Sequence, residues 1–170
     1  LVHGSRLSLA ISLWAAVISV FIGLVMGSVS GLSKGKTGFV IMRISDLFLG
    51  FPKYFAFILI LGFGPFHVLN IIMALALFSW METAKMVRNE IQYLKSSLFY
   101  KAALCQGLSK GKILRHYLVP NLVGVVISSF SIQTAAMIIL ESGLSFVGLG
   151  VQAPAVSLGT MLNLARYFPF

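Results

Sequence analysis

The side chains able to do chemistry are few in this chain, and most of them are basic. The densest group lies in residues 99–121, FYKAALCQGLSKGKILRHYLVPN, which holds Lys101, Lys110, Lys112, Arg115 and His116. Cations so placed could grip a phosphate, a nucleic acid or another protein. A nucleotide cradle needs GxxxxGK[ST], and the glycines and lysines of residues 107–112 do not have that spacing. Neither HExxH nor GxSxG occurs. The chain has four acids in all, with no separation that suggests a catalytic pair, so no enzymatic activity and no ATPase site is expected of it. Cys105 is the single cysteine, which excludes a disulfide framework and a cysteine metal site; it reads as a small packing residue. His67 has no second His, Asp or Glu near it in sequence and reads as structural or solvated, so no metal and no cofactor is expected in this chain. The glycines of residues 143–150, GLSFVGLG, have neither the strand nor the GxGxxG spacing of a dinucleotide loop.

The elements that must position these groups are apolar. Of 170 residues, 58% are hydrophobic and 10% charged, and mean hydropathy is +0.97. Soluble domains carry about 25% charged residues, so the composition is that of a chain embedded in lipid. A net charge of +9 would point to nucleic acid in a soluble protein, but here the cations border apolar runs, as the positive-inside rule requires. No nucleic-acid partner is expected; membrane lipid is.

A helix needs about 20 apolar residues to span the bilayer. Residues 7–29 form the first such span, with Arg6 and His3 at its outer end. Gly23, Gly27 and Gly31 fall on one helix face, where a neighbouring backbone can approach closely. The turn SKGKTG at 33–38 is placed inside. Residues 39–62 form a second, less clean span: Arg43 and Asp46 are spaced to pair on one face, and Pro52 kinks the helix or starts a separate one. Lys53 is a charge at membrane depth that either snorkels to the interface or faces a water-filled path. Residues 62–67 make an outer turn, and 68–81 begin a third span that runs out of the lipid toward Lys95, with Glu82 spaced to pair with Lys85. The fourth span is expected at 118–140. Ser131 and Gln133 on it are candidate pathway residues with Lys53, and Glu141 closes its outer end, where a carboxylate can hold a helix N-terminus or the glycine-rich turn that follows. Residues 155–170 are too short to span and read as an interfacial helix.

Nine of the thirteen Lys and Arg residues fall on the proposed inner side: Lys34, Lys36, Lys85, Arg88, Lys95, Lys101, Lys110, Lys112 and Arg115. Arg6 and Arg166 fall outside, and Arg43 and Lys53 within or near a span; nine against two supports this orientation, with 99–121 as a cytoplasmic loop. Within it, Lys101-Ala102-Ala103 suit a short helix, Gly107 a left-handed helix end, and Pro120 the first turn of a new helix. The expected fold is an all-α, multi-pass membrane bundle of about four transmembrane helices, treated as one domain over 1–170 with a cytoplasmic coupling loop at 96–119.

The order Ala102-Ala103, Gly107, Ile113, Pro120 resembles the EAA loop of ABC-importer permeases. Arg115-His116, Pro120-Asn121 and ESGLSFVGLGVQAP at 141–154 resemble, more narrowly, the dipeptide/oligopeptide/nickel permease family. RLSL at 6–9 and DLFLGFP at 46–52 extend the resemblance over nearly the whole chain. One departure is Lys101, which stands where the family usually has glutamate and reverses the charge.

The resemblance implies a six-helix core lacking its ends here, in the inner or plasma membrane, with a second, homologous permease subunit alongside. It implies a cytoplasmic ABC ATPase, carrying ATP and Mg, docked on the loop through Lys101, Ala102, Ala103, Gly107, Ile113, Arg115, His116, Pro120 and Asn121. It also implies an external solute-binding protein, and an outer segment near the gate containing Glu141, Ser142, Gly143, Ser145, Gly148 and Gly150. Dipeptides, oligopeptides, nickel and metal chelates are the family's solutes; the lack of a His or Cys cluster tilts toward peptide. The alternative is a secondary transporter or channel subunit that works without nucleotide and has no need of the Ala-Ala…Gly…Pro loop.

Overall fold

The structure, a computed structural model, describes residues 2–33, 35–62, 67–152 and 154–167, and every regular element among them is helical. Lys34, residues 63–66 of the expected outer turn and Phe168 lie outside the described residues, as do the side chains of His3 and Lys110. The elements are α1 (Val2–Leu32), α2 (Lys36–Leu49), α3 (Lys53–Gly62), α4 (Val68–Leu77), α5 (Trp80–Ser96), α6 (Leu98–Cys105), α7 (Lys110–Ile113), a π-helical turn (Leu114–Leu118), α8 (Val119–Val147) and α9 (Leu158–Ala165). Three stretches are long and apolar enough to cross a membrane, Gly4–Leu32, Val68–Ser96 and Gly111–Val147, and α2 with α3 makes a fourth if the bent pair is one span.

α1 is the central helix, in contact with α4, α5 and α8. Its glycine face does what the spacing predicts. A methyl group built on Gly23 would stand 2.6 Å from Thr83 Cβ, on Gly27 2.6 Å from the Ala84 carbonyl oxygen, and on Gly31 3.0 Å from Ile91 Cβ. All three positions therefore need hydrogen where α5 crosses. Lipid offers no hydrophobic force to press helices together, so this close packing is itself the attraction. At its C-terminal end α1 presents carbonyls with no partner in the helix. Lys95 of α5 donates to one of these, the Gly31 carbonyl, at 2.7 Å, while Arg88 ties Ser30 Oγ of α1 (2.7 Å) to the Gly38 carbonyl of α2 (2.6 Å). Cations at a helix C-terminus also suit its dipole.

The second expected span divides in two. Pro52 cannot continue the hydrogen-bond ladder of α2, and α3 departs at 84° to α2. Phe78, at the junction of α4 and α5, meets Phe48 of α2 and Phe57 of α3 edge-on, each with ring centroids 5.7 Å away. One ring thus holds both arms of the elbow in the favoured T-shaped geometry.

The fourth span is longer than expected at both ends. Pro120 falls in the first turn of α8, as expected, but the helix is not a fresh start, because the chain is helical from Lys110 through a π turn into α8. In a regular α-helix the proline ring would strike the carbonyl four residues back. The π turn, closed by Val119 N–H on the Leu114 carbonyl, widens the helix just before the ring arrives. At the other end α8 runs past Glu141 to Val147 and stops at Gly148 (φ 88°). Gly148 N–H to Ser145 O (3.1 Å) and Leu149 N–H to Leu144 O (2.9 Å) form the paired bonds of a glycine-terminated helix.

Candidate functional site

Three groups of polar residues stand on this frame, one at the basic end, one at mid-depth and one at the opposite end.

At the basic end, Ser97 caps α6 by accepting from Tyr100 N–H, and Gly107 (φ 75°) ends it. The bonds Gly107 N–H to Leu104 O (3.0 Å) and Leu108 N–H to Ala103 O (3.2 Å) repeat the pattern seen at Gly148. The two alanines have separate roles. Ala103 is buried in an apolar cluster with Val87, Ile91, Ile113, Leu118 and Leu122, which ties α6 to α5 and α8. Ala102 and Lys101 face outward beside Leu98 and Phe99, which are 84% and 64% exposed. Arg115, His116, Pro120 and Asn121 are also exposed; His116 Nδ1 lies 3.2 Å from the Lys112 carbonyl, and Asn121 donates to the Tyr117 carbonyl at 2.6 Å. The outward surface of the loop is therefore cationic and apolar at once, on a foot that packs rigidly against two spans.

At mid-depth Gln133 is buried, with every polar atom engaged. It accepts from Ser19 Oγ at 2.7 Å and donates to the Ser79 carbonyl at 3.0 Å and to Thr83 Oγ1 at 2.6 Å. It joins α1, α8 and the start of α5 and faces no open space within this chain. Ser131 is exposed and bonds back to the Ile127 carbonyl of its own helix. Gln133→Leu would strand three polar groups. At roughly 0.6 kcal/mol per membrane hydrogen bond the expected loss is about 2 kcal/mol, read as an earlier midpoint in SDS-induced unfolding. Thr134→Val, which removes only a bond within α8, should leave that midpoint in place.

The charges at this depth, Lys85 among them although the sequence reading places it on the inner side, pair across helices and not along them. Arg43 does not pair with Asp46, nor Glu82 with Lys85. Lys85 Nζ donates to Asp46 Oδ1 at 2.6 Å, and Lys53 pairs with Glu82. The Arg43 guanidinium lies 5.0 Å from the Phe39 ring centroid. Spacing of three residues permits a pair on one helix; the α2–α3 elbow brings Asp46 and Lys53 each a partner on α5.

At the opposite end Glu141 is not a terminal residue but fully buried inside α8. Ser145 Oγ donates to Glu141 Oε1 at 2.7 Å and accepts from Val151 N–H at 3.1 Å, so the carboxyl reaches the glycine-rich turn through a serine. Glu141 Oε2 has no partner among the described residues. Gly150 and Gly159 press directly on Ser145, and Gly159 on the Ser142 carbonyl, which leaves no room for a side chain at either glycine. Gly143 faces Tyr54 of α3. α9, begun by a Ser157–Thr160 capping box, is held to α1 by Leu158 N–H on Ser8 Oγ at 3.0 Å and to α8 by Asn163 on the Phe146 carbonyl. The segment after α8 thus folds back onto it, packed against helices and not lying free. Gly159 and Ser8, both essential to that packing, carry no chemical signal in the sequence, and reading for chemistry passes over them. Among the described residues no three His, Cys, Asp or Glu side chains gather where they could hold a metal ion.

Comparison with known proteins agrees with this arrangement. Residues 9–170 match the family described as binding-protein-dependent transport system inner membrane component. The chain is similar to the oligopeptide transport system permease protein OppC of Bacillus subtilis, 33% identical over 171 residues, covering 98% of this chain and 56% of that protein. It is likewise similar to OppC of Escherichia coli K12, 38% identical over 160 residues, covering 94% and 53%. The dipeptide transport system permease protein DppC of Bacillus subtilis is 34% identical over 161 residues, covering 95% and 50%. The chain therefore spans about half the length of these relatives. Among solved structures, one titled as an amino acid ABC transporter with histidines superposes with a TM-score of 0.76 over 98% of this chain and 77% of that one; at 16% identity the likeness concerns the fold. A multi-pass helical bundle matched over almost all its length, the chain belongs to the family of inner-membrane components of binding-protein-dependent transport systems.

Proposed function

We propose that this chain, as a single permease domain, builds one wall of the path through an ATP-driven importer of dipeptides or oligopeptides. A second, homologous permease subunit completes the path, an external binding protein delivers the solute, and cytoplasmic ABC ATPases carrying ATP and Mg supply the energy. The chain itself catalyses no reaction. The segment 96–119 is its cytoplasmic coupling element. ATPase subunits grip the face formed by Lys101, Ala102, Leu98 and Phe99, while Gly107, Ile113 and Pro120 hold that face in place and Arg115, His116 and Asn121 border it. Residues 141–150 form the outer gate segment.

One observation carries this reading: the apolar cluster of Ala103, Ile113, Leu118, Leu122, Val87 and Ile91 that roots α6 in α5 and α8. A push on α6 is delivered to two spans at once, because close-packed interiors transmit displacement and do not absorb it. Lys101 makes the contact cationic, so an acidic groove on the ATPase is its complement.

The test is reconstitution of the full-length permease pair with its ATPases and binding protein in liposomes. Labelled tripeptide should accumulate only with ATP, and the ATPases should co-purify with the permease. Accumulation without nucleotide would favour a secondary transporter or channel instead. Nickel uptake without peptide uptake would move the solute assignment within the same mechanism.

A further inference from the structure

We propose that Asp46, Lys85, Glu82 and Lys53 form a wet, charge-alternating strip of the solute path at the middle of the membrane, matched to a zwitterionic peptide with free termini. The proposal rests on the importer reading above.

The depth comes from the helices. Glu82 lies halfway along the Val68–Ser96 stretch, and Asp46 and Lys53 flank the 84° break between α2 and α3 that stands against it. The exposure comes from the side chains. Lys53 and Glu82 remain 30% and 40% uncovered, and Lys85 and Asp46 38% and 46%, even though each is in an ion pair. Charges at mid-depth are tolerated where they face a bundle interior or water, not acyl chains, and Lys53, the first residue of α3, is turned to Glu82 of α5 and so is held in a pair. On this proposal the uncovered sides open onto water in the assembled transporter. Irregular backbone at membrane depth, such as Gly50-Phe51-Pro52 between α2 and α3, is likewise tolerated where it lines a cavity.

The chemistry follows from the order of charges. The pairs link as Asp46–Lys85 and Glu82–Lys53, with Glu82 and Lys85 one turn apart on α5. The four groups alternate minus, plus, minus, plus and are neutral among themselves, with the Arg43 and Arg88 guanidinium groups also within electrostatic reach of Asp46. A peptide with free termini brings one ammonium and one carboxylate, so it can rest against the strip without adding net charge to the site. Because each wall charge already has a partner, the contact is weak, as passage requires. Neither a bare cation nor an anion gains the same match.

The experiment uses the complete transporter in proteoliposomes with Cys105→Ser, since Cys105, expected as a packing residue, is instead exposed and would react. Lys53→Cys is made with Glu82→Gln, and separately Asp46→Cys with Lys85→Gln, so that no charge is left unpaired. Phe21→Cys, on an exposed but apolar face of α1, is the control. Thiols react as thiolates, which need water, so a charged methanethiosulfonate should modify positions 53 and 46 at least ~10-fold faster than position 21. Loaded binding protein and ATP, but not unloaded binding protein and ATP, should slow that modification about threefold. Each pair tests the strip independently if the other variant fails to assemble. Equal rates at positions 53, 46 and 21, or reaction only with an apolar maleimide, would overturn the wet strip. Fast modification with no protection by peptide would overturn the peptide match. Failure of the importer reading shows separately, as a parent transporter that takes up no peptide while the labelling contrast still reports on the strip.

Discussion

Replacing Gly27 with valine is expected to prevent this chain from folding in the membrane. A Cβ there would stand 2.6 Å from the Ala84 carbonyl oxygen and 2.8 Å from Val87 Cβ. The first obstacle is backbone, which cannot rotate aside, so α1 and α5 must separate along their length. Overpacking costs about 1–3 kcal/mol when side chains can shift and more when they cannot. Separation would also break the contacts that Gly23 and Gly31 make with the same helix, and would pull Ser30 from Arg88 and Gly31 from Lys95. Against a total stability of about 5–15 kcal/mol, that loss is large. The expected result is a chain absent from the detergent-soluble fraction or degraded in the membrane. Gly124→Ala is the matched control: it lies in α8 with no atom within 4 Å of the added carbon. Helix propensity there favours alanine by up to about 1 kcal/mol, so its SDS-unfolding midpoint should hold or rise. A Gly27→Val chain as stable as its parent would mean that α1 and α5 do not meet through their glycines.

That glycine face was legible because small residues at every fourth position have a narrow physical meaning in lipid: a helix must come close there. Gly107 was legible for a related reason, since a glycine after a short helical run marks a left-handed end whatever lies around it. The failures share a different cause. Arg43 and Asp46, and Glu82 and Lys85, have the spacing to pair along a helix, but spacing says nothing about a partner arriving from elsewhere in the chain. The elbow delivers Lys85 to Asp46 and Lys53 to Glu82. Pro52 announced a break, yet its angle is set by Phe78 between Phe48 and Phe57. Glu141 reads as a helix end because a lone carboxylate looks out of place inside a span. Its surroundings are supplied by Ser145 on the next turn and by glycines at 150 and 159 that let the outer segment close over it. Pro120 reads as a helix start because the π turn that accommodates it has no signature in residue type.

Gly107→Val is expected to separate ATP hydrolysis from uptake in the assembled importer. Gly107 has φ 75° and no atom within 4 Å of an added Cβ, so a substitution there meets no neighbour and acts through the backbone alone. A left-handed conformation costs a residue with a Cβ about 1–2 kcal/mol, and a β-branched residue is a worse fit still. The chain relieves that strain by abandoning the positive φ. The bonds Gly107 N–H to Leu104 O and Leu108 N–H to Ala103 O are then lost. Leu108 packs against the cluster that roots α6, so α6 keeps its outward face while its foot loosens. Docking and ATP turnover use the face; transmission to α5 and α8 uses the foot. ATPase activity of the complex should therefore stay within about twofold of the parent, while ATP-driven uptake falls at least ~10-fold, the ratio that 1.4 kcal/mol represents. Gly107→Asn is the discriminating companion, because asparagine enters the left-handed region with less strain and should recover most of the uptake. A parallel fall in both activities would mean that the position serves docking and not transmission. Unchanged uptake in the valine variant would remove the rigid foot from the mechanism.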